Sequence, residues 1–319
     1  MKTEVGRDIT KVKQLLENGE LAVVPTETVY GLAANGLDSN AIEKIFQLKN
    51  RPKNNPLILH FSNKNDILFY VKEFPEVLSK IADQFWPGPL TILLPKNNKV
   101  PNIVTSGLSR VAVRIPKKKI LISLLNEINF PLAAPSANLY GKISPTTVAH
   151  VQKYFDGKIS YILDGDECEA GIESTIIGLE NNKVVIYRSG STSQELIAEQ
   201  IGYIPENKFI ENNTPLASGM VPYHYAPETP CYIMNAEFKV ELNDRFGYIF
   251  FSKPFYKYKN LSNVHFLSMN ENYEEAASKL YQIMHLLDDL NFDKIFIELL
   301  PDEEIGKAVN DKIRKATAK

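Results

Sequence analysis

Leu21-Ala22-Val23-Val24-Pro25-Thr26-Glu27-Thr28 sets a short apolar run against a polar segment headed by proline, and an amphipathic stretch follows over residues 39–48. The apolar run reads as a buried strand. In the following stretch Ala41, Ile42, Ile45 and Phe46 fall on one helical face, with Asp38 or Ser39 placed to cap it. The order is therefore strand, polar loop, helix, the repeating unit of an α/β fold. Upstream, Ile9, Val12, Leu15 and Leu16 carry helical spacing, and Gly19 stands where a helix takes a left-handed residue and stops.

Working outward, the composition of residues 57–61, 91–94, 111–115, 131–134, 161–163, 175–177 and 184–187 predicts further buried strands. Ser144-Pro145-Thr146 predicts a capped helix start with proline at the first position, and Thr192-Ser193-Gln194-Glu195 reads as a capping box. Residues 1–203 are thus expected to form an α/β domain on a mixed sheet. Residues 204–230 hold several prolines and read as a linker, but Met220-Val221-Pro222-Tyr223-His224-Tyr225-Ala226-Pro227 is too aromatic for a solvated spacer and is expected to dock on something. Residues 231–319, with strands over 246–251 and 294–299 and a helix over 273–290, predict a smaller α/β domain.

A chain of 319 residues exceeds what one core usually fills, in keeping with two domains. The 36 Lys and Arg against 38 Asp and Glu exclude a strong global pull on nucleic acid or membranes, while leaving local basic clusters open. Cys168 and Cys231 lack metal-type spacing, which argues against a disulfide scaffold and a zinc module and fits a reducing compartment. With no apolar segment behind Met1 and no stretch long enough to cross a bilayer, the expectation is an unprocessed cytoplasmic protein.

The chemistry narrows by elimination. There is no Gly-x-Gly-x-x-Gly, and the Gly-Lys pairs at 141–142, 157–158 and 306–307 lack the preceding glycine of a phosphate loop. Neither Gly-x-Ser-x-Gly nor His-Glu-x-x-His occurs, so a serine hydrolase and a zinc protease have no support. What remains is Lys49-Asn50-Arg51-Pro52-Lys53 at a helix C-terminus. These cations suit the helix dipole, and a guanidinium and an ammonium two residues apart also suit adjacent phosphates; spacing alone leaves both readings open. Ala133-Ala134-Pro135-Ser136-Ala137-Asn138 is either an ordinary turn or a hydroxyl and an amide held at the carboxyl end of a strand, where open α/β sheets bind ligands. Thr26, Thr28 and Tyr30 in the first loop, His60, Ser174 and above all Arg114 are further candidates. A guanidinium within an apolar strand needs a partner, and a protein or a substrate carboxylate would serve. Phe85-Trp86-Pro87-Gly88-Pro89-Leu90 reads as a rigid turn over the core.

Together the segments resemble the threonylcarbamoyl-AMP synthase family, the YrdC-like proteins, in its long form with an extra C-terminal domain. The resemblance spans nearly the whole chain. It rests on Pro25-Thr26-Glu27-Thr28-Val29-Tyr30-Gly31-Leu32, Lys49-Asn50-Arg51-Pro52, Asn55-Pro56-Leu57, Trp86-Pro87-Gly88-Pro89-Leu90-Thr91, Ala112-Val113-Arg114, Pro135-Ser136-Ala137-Asn138, Glu173-Ser174-Thr175 and His224-Tyr225-Ala226-Pro227, in the family's order. It implies a YrdC-like twisted mixed sheet with helices and a Rossmann-like C-terminal domain. It also implies a catalytic tetrad of Lys49, Arg51, Ser136 and Asn138 around ATP, with Thr105, Ser144 and Arg188 as further nucleotide contacts. Threonine would sit near Thr26, Thr28, His60, Arg114 and Ser174, and the linker would cross the site as a lid bringing His224 and Tyr225 to the adenylate. The chain departs from the family at Ala217-Ser218-Gly219-Met220, where Ser-Pro-Gly-Met is usual, and at Arg188-Ser189-Gly190, where Arg-Pro-Gly is usual.

The activity implied is synthesis of threonylcarbamoyl-AMP and pyrophosphate from L-threonine, bicarbonate and ATP with Mg²⁺ carried by the phosphates and no metal cage of its own. The product would go to a tRNA threonylcarbamoyl transferase complex, with weak tRNA contact and no membrane partner. A carbamoyl-adenylating enzyme of hydrogenase maturation is a rival, but such proteins carry zinc-finger modules for which two distant cysteines leave no room. A non-catalytic RNA-binding module is the other.

Overall fold

The computed structural model describes residues 2–208, 215–220, 223–234 and 243–318; residues 209–214 and 221–222 of the expected linker, including Val221 and Pro222 of its aromatic segment, lie outside the described residues. The local signals at the N-terminus are realised closely. Asp8 accepts from the amides of Thr10 and Lys11 to start the helix Ile9–Glu17, and Gly19 has a φ of 71°. Asp38, and not Ser39, caps the helix Ser39–Lys49, accepting from Asn40 and Ala41, a contact that stabilises a helix by about 1 kcal/mol.

The large sheet contains β1 (Glu4–Gly6), β2 (Ala22–Val24), β3 (Gly31–Asn35), β4 (Ile58–His60), β5 (Leu90–Pro95), β6 (Arg110–Arg114), β7 (Leu132–Ala133), β8 (Tyr161–Leu163), β9 (Thr175–Glu180), β10 (Lys183–Arg188) and β11 (Glu206–Asn207). Their order is β1-β8-β2-β3-β7-β4-β6-β5-β9-β10-β11. The sheet is mixed: β2 and β8, β4 and β6, and β5 and β9 pair parallel, whereas in the centre β7 pairs antiparallel with both β3 and β4.

Two expectations are corrected. The polar loop after β2 contains β3, whose Leu32 pairs with Val23 and whose Ala34 pairs with Ala133. Its small residues carry little intrinsic strand preference, and burial between two neighbours decides instead. A Cβ on Gly31 would lie 3.0 Å from the Cβ of Ala134, so a side chain there would crowd the neighbouring strand. The helix expected to start at Ser144 starts three residues later, as Val148–Phe155 capped by Thr147. Ser144 is fully buried and its hydroxyl is taken by Glu173, which leaves Thr147 to accept from the His150 amide.

The second sheet contains β12 (Cys231–Ile233), β13 (Phe246–Phe250), β14 (Val264–Phe266) and β15 (Lys294–Ile297), in the order β12-β15-β13-β14 and parallel throughout. The helices Tyr273–Asp289 and Gly306–Ala316 belong to this half of the chain. Ile249, Leu280, Met284, Ile295, Val309 and Ile313 share a core that also takes in Val29, Ile143 and Ile172 from the other half, so the two sheets meet through a continuous apolar contact. No helix among the described residues is long and apolar enough to cross a membrane.

Candidate active site

Strand ends and the loops beside them line one crevice. His60 ends β4 and pairs in register with Arg114, which ends β6; Thr26 follows β2, Ser136 follows β7, and Ser174 precedes β9. The turn carrying Ser136 is stitched to the first motif, because Leu32 donates to the Pro135 carbonyl at 2.7 Å and Ala137 to that of Tyr30 at 2.8 Å. Thr26, Thr28, Arg51, His60, Arg114 and Ser136 line the resulting cavity, with Glu173, Ser174 and Arg188 opposite and Ser218, Gly219, His224 and Tyr225 of the linker across it.

The tetrad expected from the sequence divides into two levels. Lys49 closes its helix and is only 1% exposed. Its ammonium donates to the backbone carbonyls of Ser136 and Asn138 and, at 3.4 Å, to the Asn138 side chain. Asn138 is itself fully buried and donates to the Lys142 carbonyl at 2.6 Å. Asn50, left-handed at a φ of 52°, then turns the chain so that Arg51 points elsewhere, donating to Asn55 Oδ1 at 2.7 Å, the Pro56 carbonyl at 3.0 Å and Ser218 Oγ at 3.1 Å. Burial, followed by the Arg51 charge, pushes the Lys49 ammonium well below its ordinary pKa, and burial takes Arg51 down to about 10. The third cation of the cluster, Lys53, is at the surface and pairs with Glu43 at 2.7 Å.

Arg114 has the protein partner that a buried guanidinium needs: Glu27 at 2.8 Å, with both side chains about 95% buried. It also donates to Thr28 Oγ1 at 3.0 Å and to the Gly88 carbonyl at 3.2 Å, so the Trp86-Pro87-Gly88 turn serves as a brace for this residue. Burial alone would raise the Glu27 carboxyl, but the Arg114 charge and the Lys117 amide outweigh it and hold it below its ordinary value. The hydroxyls of Thr26 and Thr28 lie 2.8 Å apart. His60 faces the Leu132 carbonyl, and burial next to Arg114 takes its pKa down to about 3, so the ring is neutral. Ser174 bonds to Thr91 at 2.7 Å and accepts from Arg188 at 2.9 Å.

His224 and Tyr225 of the linker line the cavity. Tyr225 is 1% exposed with a φ of 66°, and His224 is buried between the rings of Tyr140 and Tyr225, its Nδ1 lacking a hydrogen-bond partner. Burial and the surrounding cations Arg51, Lys49, Lys315 and Arg188 push the His224 ring well below its ordinary pKa. At the two departures from the family pattern, other contacts hold the backbone: the Ser218 hydroxyl accepts from Arg51 and its carbonyl from Arg188 at 3.1 Å, while the Ser189 carbonyl accepts from Lys312 at 2.7 Å. With these linker residues across it the cavity holds only about 40 Å³. Pockets for small ligands usually need at least ~300 Å³, so the cavity as it stands is too small for a nucleotide.

Of the expected nucleotide contacts, Lys49, Asn138, Thr105 and Ser144 do not line this cavity. Thr105 donates to the Leu108 carbonyl of its own turn at 2.9 Å, and Ser144 donates to Glu173 at 2.6 Å. Sequence reasoning did not single out Glu27, Glu173, Asn55 or Ser218 as side chains that orient the site. The demand of Arg114 for a counter-charge was the one signal pointing toward Glu27, which lies between two residues already marked.

The family model described as telomere recombination, which covers the Sua5, YciO and YrdC proteins, matches residues 14–190, and the threonylcarbamoyl-AMP synthase C-terminal domain matches residues 183–318. A threonylcarbamoyl-AMP synthase of Pyrococcus abyssi is 38% identical, over 95% of this chain and 92% of its own length. One of Bacillus subtilis is 34% identical over 97% of this chain and 92% of its own. The crystal structure of P. abyssi Sua5 complexed with L-threonine superposes with a TM-score of 0.89 at 34% identity, covering 100% of this chain and 98% of that one. With both matched segments laid end to end over the two sheets, and with relatives aligned along almost their whole length, the chain belongs to the Sua5/YciO/YrdC family in its form with the added C-terminal domain.

Proposed function

We propose that this chain is a threonylcarbamoyl-AMP synthase, joining L-threonine, bicarbonate and ATP and releasing pyrophosphate, for threonylcarbamoyladenosine modification of tRNA beside the anticodon. The observation that carries the reading is a cavity where Arg51, Arg114 and Arg188 converge with Ser, Thr and a neutral His, and with Lys49 directly beneath. Such a surplus of positive charge suits a triphosphate and an amino-acid carboxylate together.

In this mechanism the threonine amine combines with carbon dioxide derived from bicarbonate, giving a carbamate. A carbamate oxygen attacks the α-phosphorus in line; the new O–P bond forms as the bond to the β-phosphate oxygen breaks, and the electron pair leaves with pyrophosphate. Mg²⁺ enters as part of the MgATP substrate. The chain contributes charge and position: Lys49 and Arg51 offset charge on the phosphate oxygens, Ser136 and Asn138 fix the nucleotide, and Arg114, held by Glu27 and Thr28, orients the threonine carboxylate. Thr26, Thr28, His60 and Ser174 surround the amino acid, the uncharged His60 offering a hydrogen bond without repelling the amine. Thr105, Ser144 and Arg188 complete the nucleotide contacts once the lid carrying His224 and Tyr225 has moved. Residues 1–203, 204–230 and 231–319 then act as catalytic domain, lid and C-terminal domain. A downstream tRNA threonylcarbamoyl transferase complex would take the product, in the cytoplasm.

Incubation with ATP and bicarbonate, with and without L-threonine, tests the reading: pyrophosphate release is expected only with threonine. Its absence, together with salt-dependent RNA binding, would favour the RNA-binding alternative.

A further inference from the structure

The polar centre of the site is held from the other half of the molecule. Tyr281 lies on the helix Tyr273–Asp289 and is fully buried. Its hydroxyl donates to Glu173 Oε2 at 2.9 Å, while Glu173 Oε1 accepts from Ser144 at 2.6 Å. Burial and the Glu173 charge push the Tyr281 phenol well above its ordinary pKa, so it keeps the proton it donates. One turn along the same helix, His285 Nε2 faces the Ser144 carbonyl at 3.3 Å. A carbonyl only accepts, so Nε2 carries the hydrogen, in agreement with an Nδ1 that has no partner. The helix thus grips Ser144 at both its hydroxyl, through Glu173, and its backbone.

The same tyrosine touches the lid. Its ring lies 5.7 Å from that of Tyr225, and the helix packs so tightly on the loop before Glu173 that a Cβ on Gly171 would come within 2.4 Å of Ser278 Cα. Glu173 lines the cavity, and the next residue, Ser174, holds Arg188 through both its carbonyl and its hydroxyl. A carboxylate can only accept, so the Ser144 proton is committed to Glu173, which fixes the direction of the hydroxyl.

We propose that Tyr281 is a positioning residue for adenylate formation: by holding Glu173 it sets the direction of the Ser144 hydroxyl and the seat of Ser174 and Arg188, making the C-terminal domain part of the catalytic unit. This rests on the synthase reading above. Tyr281→Phe keeps the ring against Tyr225 and removes only the donor. The expected result is a fall in kcat of about 10-fold or more, from loss of a hydrogen bond to a charged acceptor, with the threonine KM within about twofold of wild type. Combined with Glu173→Gln, the loss should be less than the product of the single losses, because both act through one carboxylate. Lys153→Gln, which removes the pairs to Asp288 and Asp289 on the same helix without touching Glu173, should lower the melting temperature and spare kcat. Wild-type turnover in Tyr281→Phe, multiplicative losses in the double variant, or an equal kcat loss in Lys153→Gln would each overturn the proposal. If Tyr281→Phe does not fold, Glu173→Gln alone carries the test: a tenfold fall supports the proposal and wild-type kcat overturns it. Failure of the synthase reading is distinguishable, since the wild type would then show no threonine-dependent pyrophosphate release before any substitution.

Discussion

Lys49→Ala is expected to lower threonine-dependent pyrophosphate release by roughly 100-fold or more, the usual consequence of removing a donor that offsets developing charge in a preorganised site. The substitution also touches the fold. It leaves the carbonyls of Ser136 and Asn138 and the Asn138 amide oxygen without their shared donor, at about 1–3 kcal/mol for each acceptor that water does not reach. Arg51→Ala separates the two effects, because Arg51 lines the cavity and water there can reach the acceptors it leaves. Pyrophosphate assays and thermal melts on both variants check this: both should lose turnover, with the larger melting shift in Lys49→Ala. Normal pyrophosphate release by either variant would refute the phosphate role of the pair.

Arg114→Ala is expected to destabilise the protein by about 3–5 kcal/mol, because it leaves the Glu27 carboxylate buried without its counter-charge. Turnover with threonine should fall as well. Adding Glu27→Gln should restore much of the stability and none of the activity, which distinguishes a broken ion pair from a lost substrate contact. The pH dependence supplies a second check. In the wild type the Glu27 carboxyl is held below its ordinary value of 4.5, so its stabilising contribution is present above that value and fades as pH falls through the lower folded one. Without Arg114, burial is the dominant influence and raises the carboxyl, so acidification should stabilise the variant relative to neutral pH. Melting temperatures measured from pH 7 toward pH 4 should therefore slope differently in the two proteins, and parallel slopes would sink this account.

The parts of the fold legible in the sequence are those that local chemistry determines. Asp38 and Gly19 mark helix ends because a side chain or a missing one suffices there, and the apolar runs at 57–61 and 111–115 form strands because both their faces are buried. β3 escaped because glycine and alanine carry no strand signal of their own, and β1 and β11 because two or three residues are too few to show a period. The site divides the same way. That Lys49 and Arg51 belong to a ligand cavity could be suspected from their chemistry and from the family resemblance. That Lys49 turns under the Ser136 turn, while Lys53 goes to solvent, depends on one left-handed residue, Asn50. The pairing of Glu173 with Tyr281 joins positions more than a hundred residues apart, and no local pattern announces it.

The strand order has a consequence in time as well as in space. Among the described residues β1 pairs only with β8, and one edge each of β2 and β5 is covered by β8 and β9, so those edges stand open until residues 161–180 arrive. Closing such long loops before any pairing compensates their entropy is slow. A nascent chain would therefore expose one edge each of β2 and β5 while β3, β7, β4 and β6 are already paired. Only after Tyr281 emerges would Glu173 gain its second partner, so the arrangement around Glu173 is completed late in translation and not with the first domain.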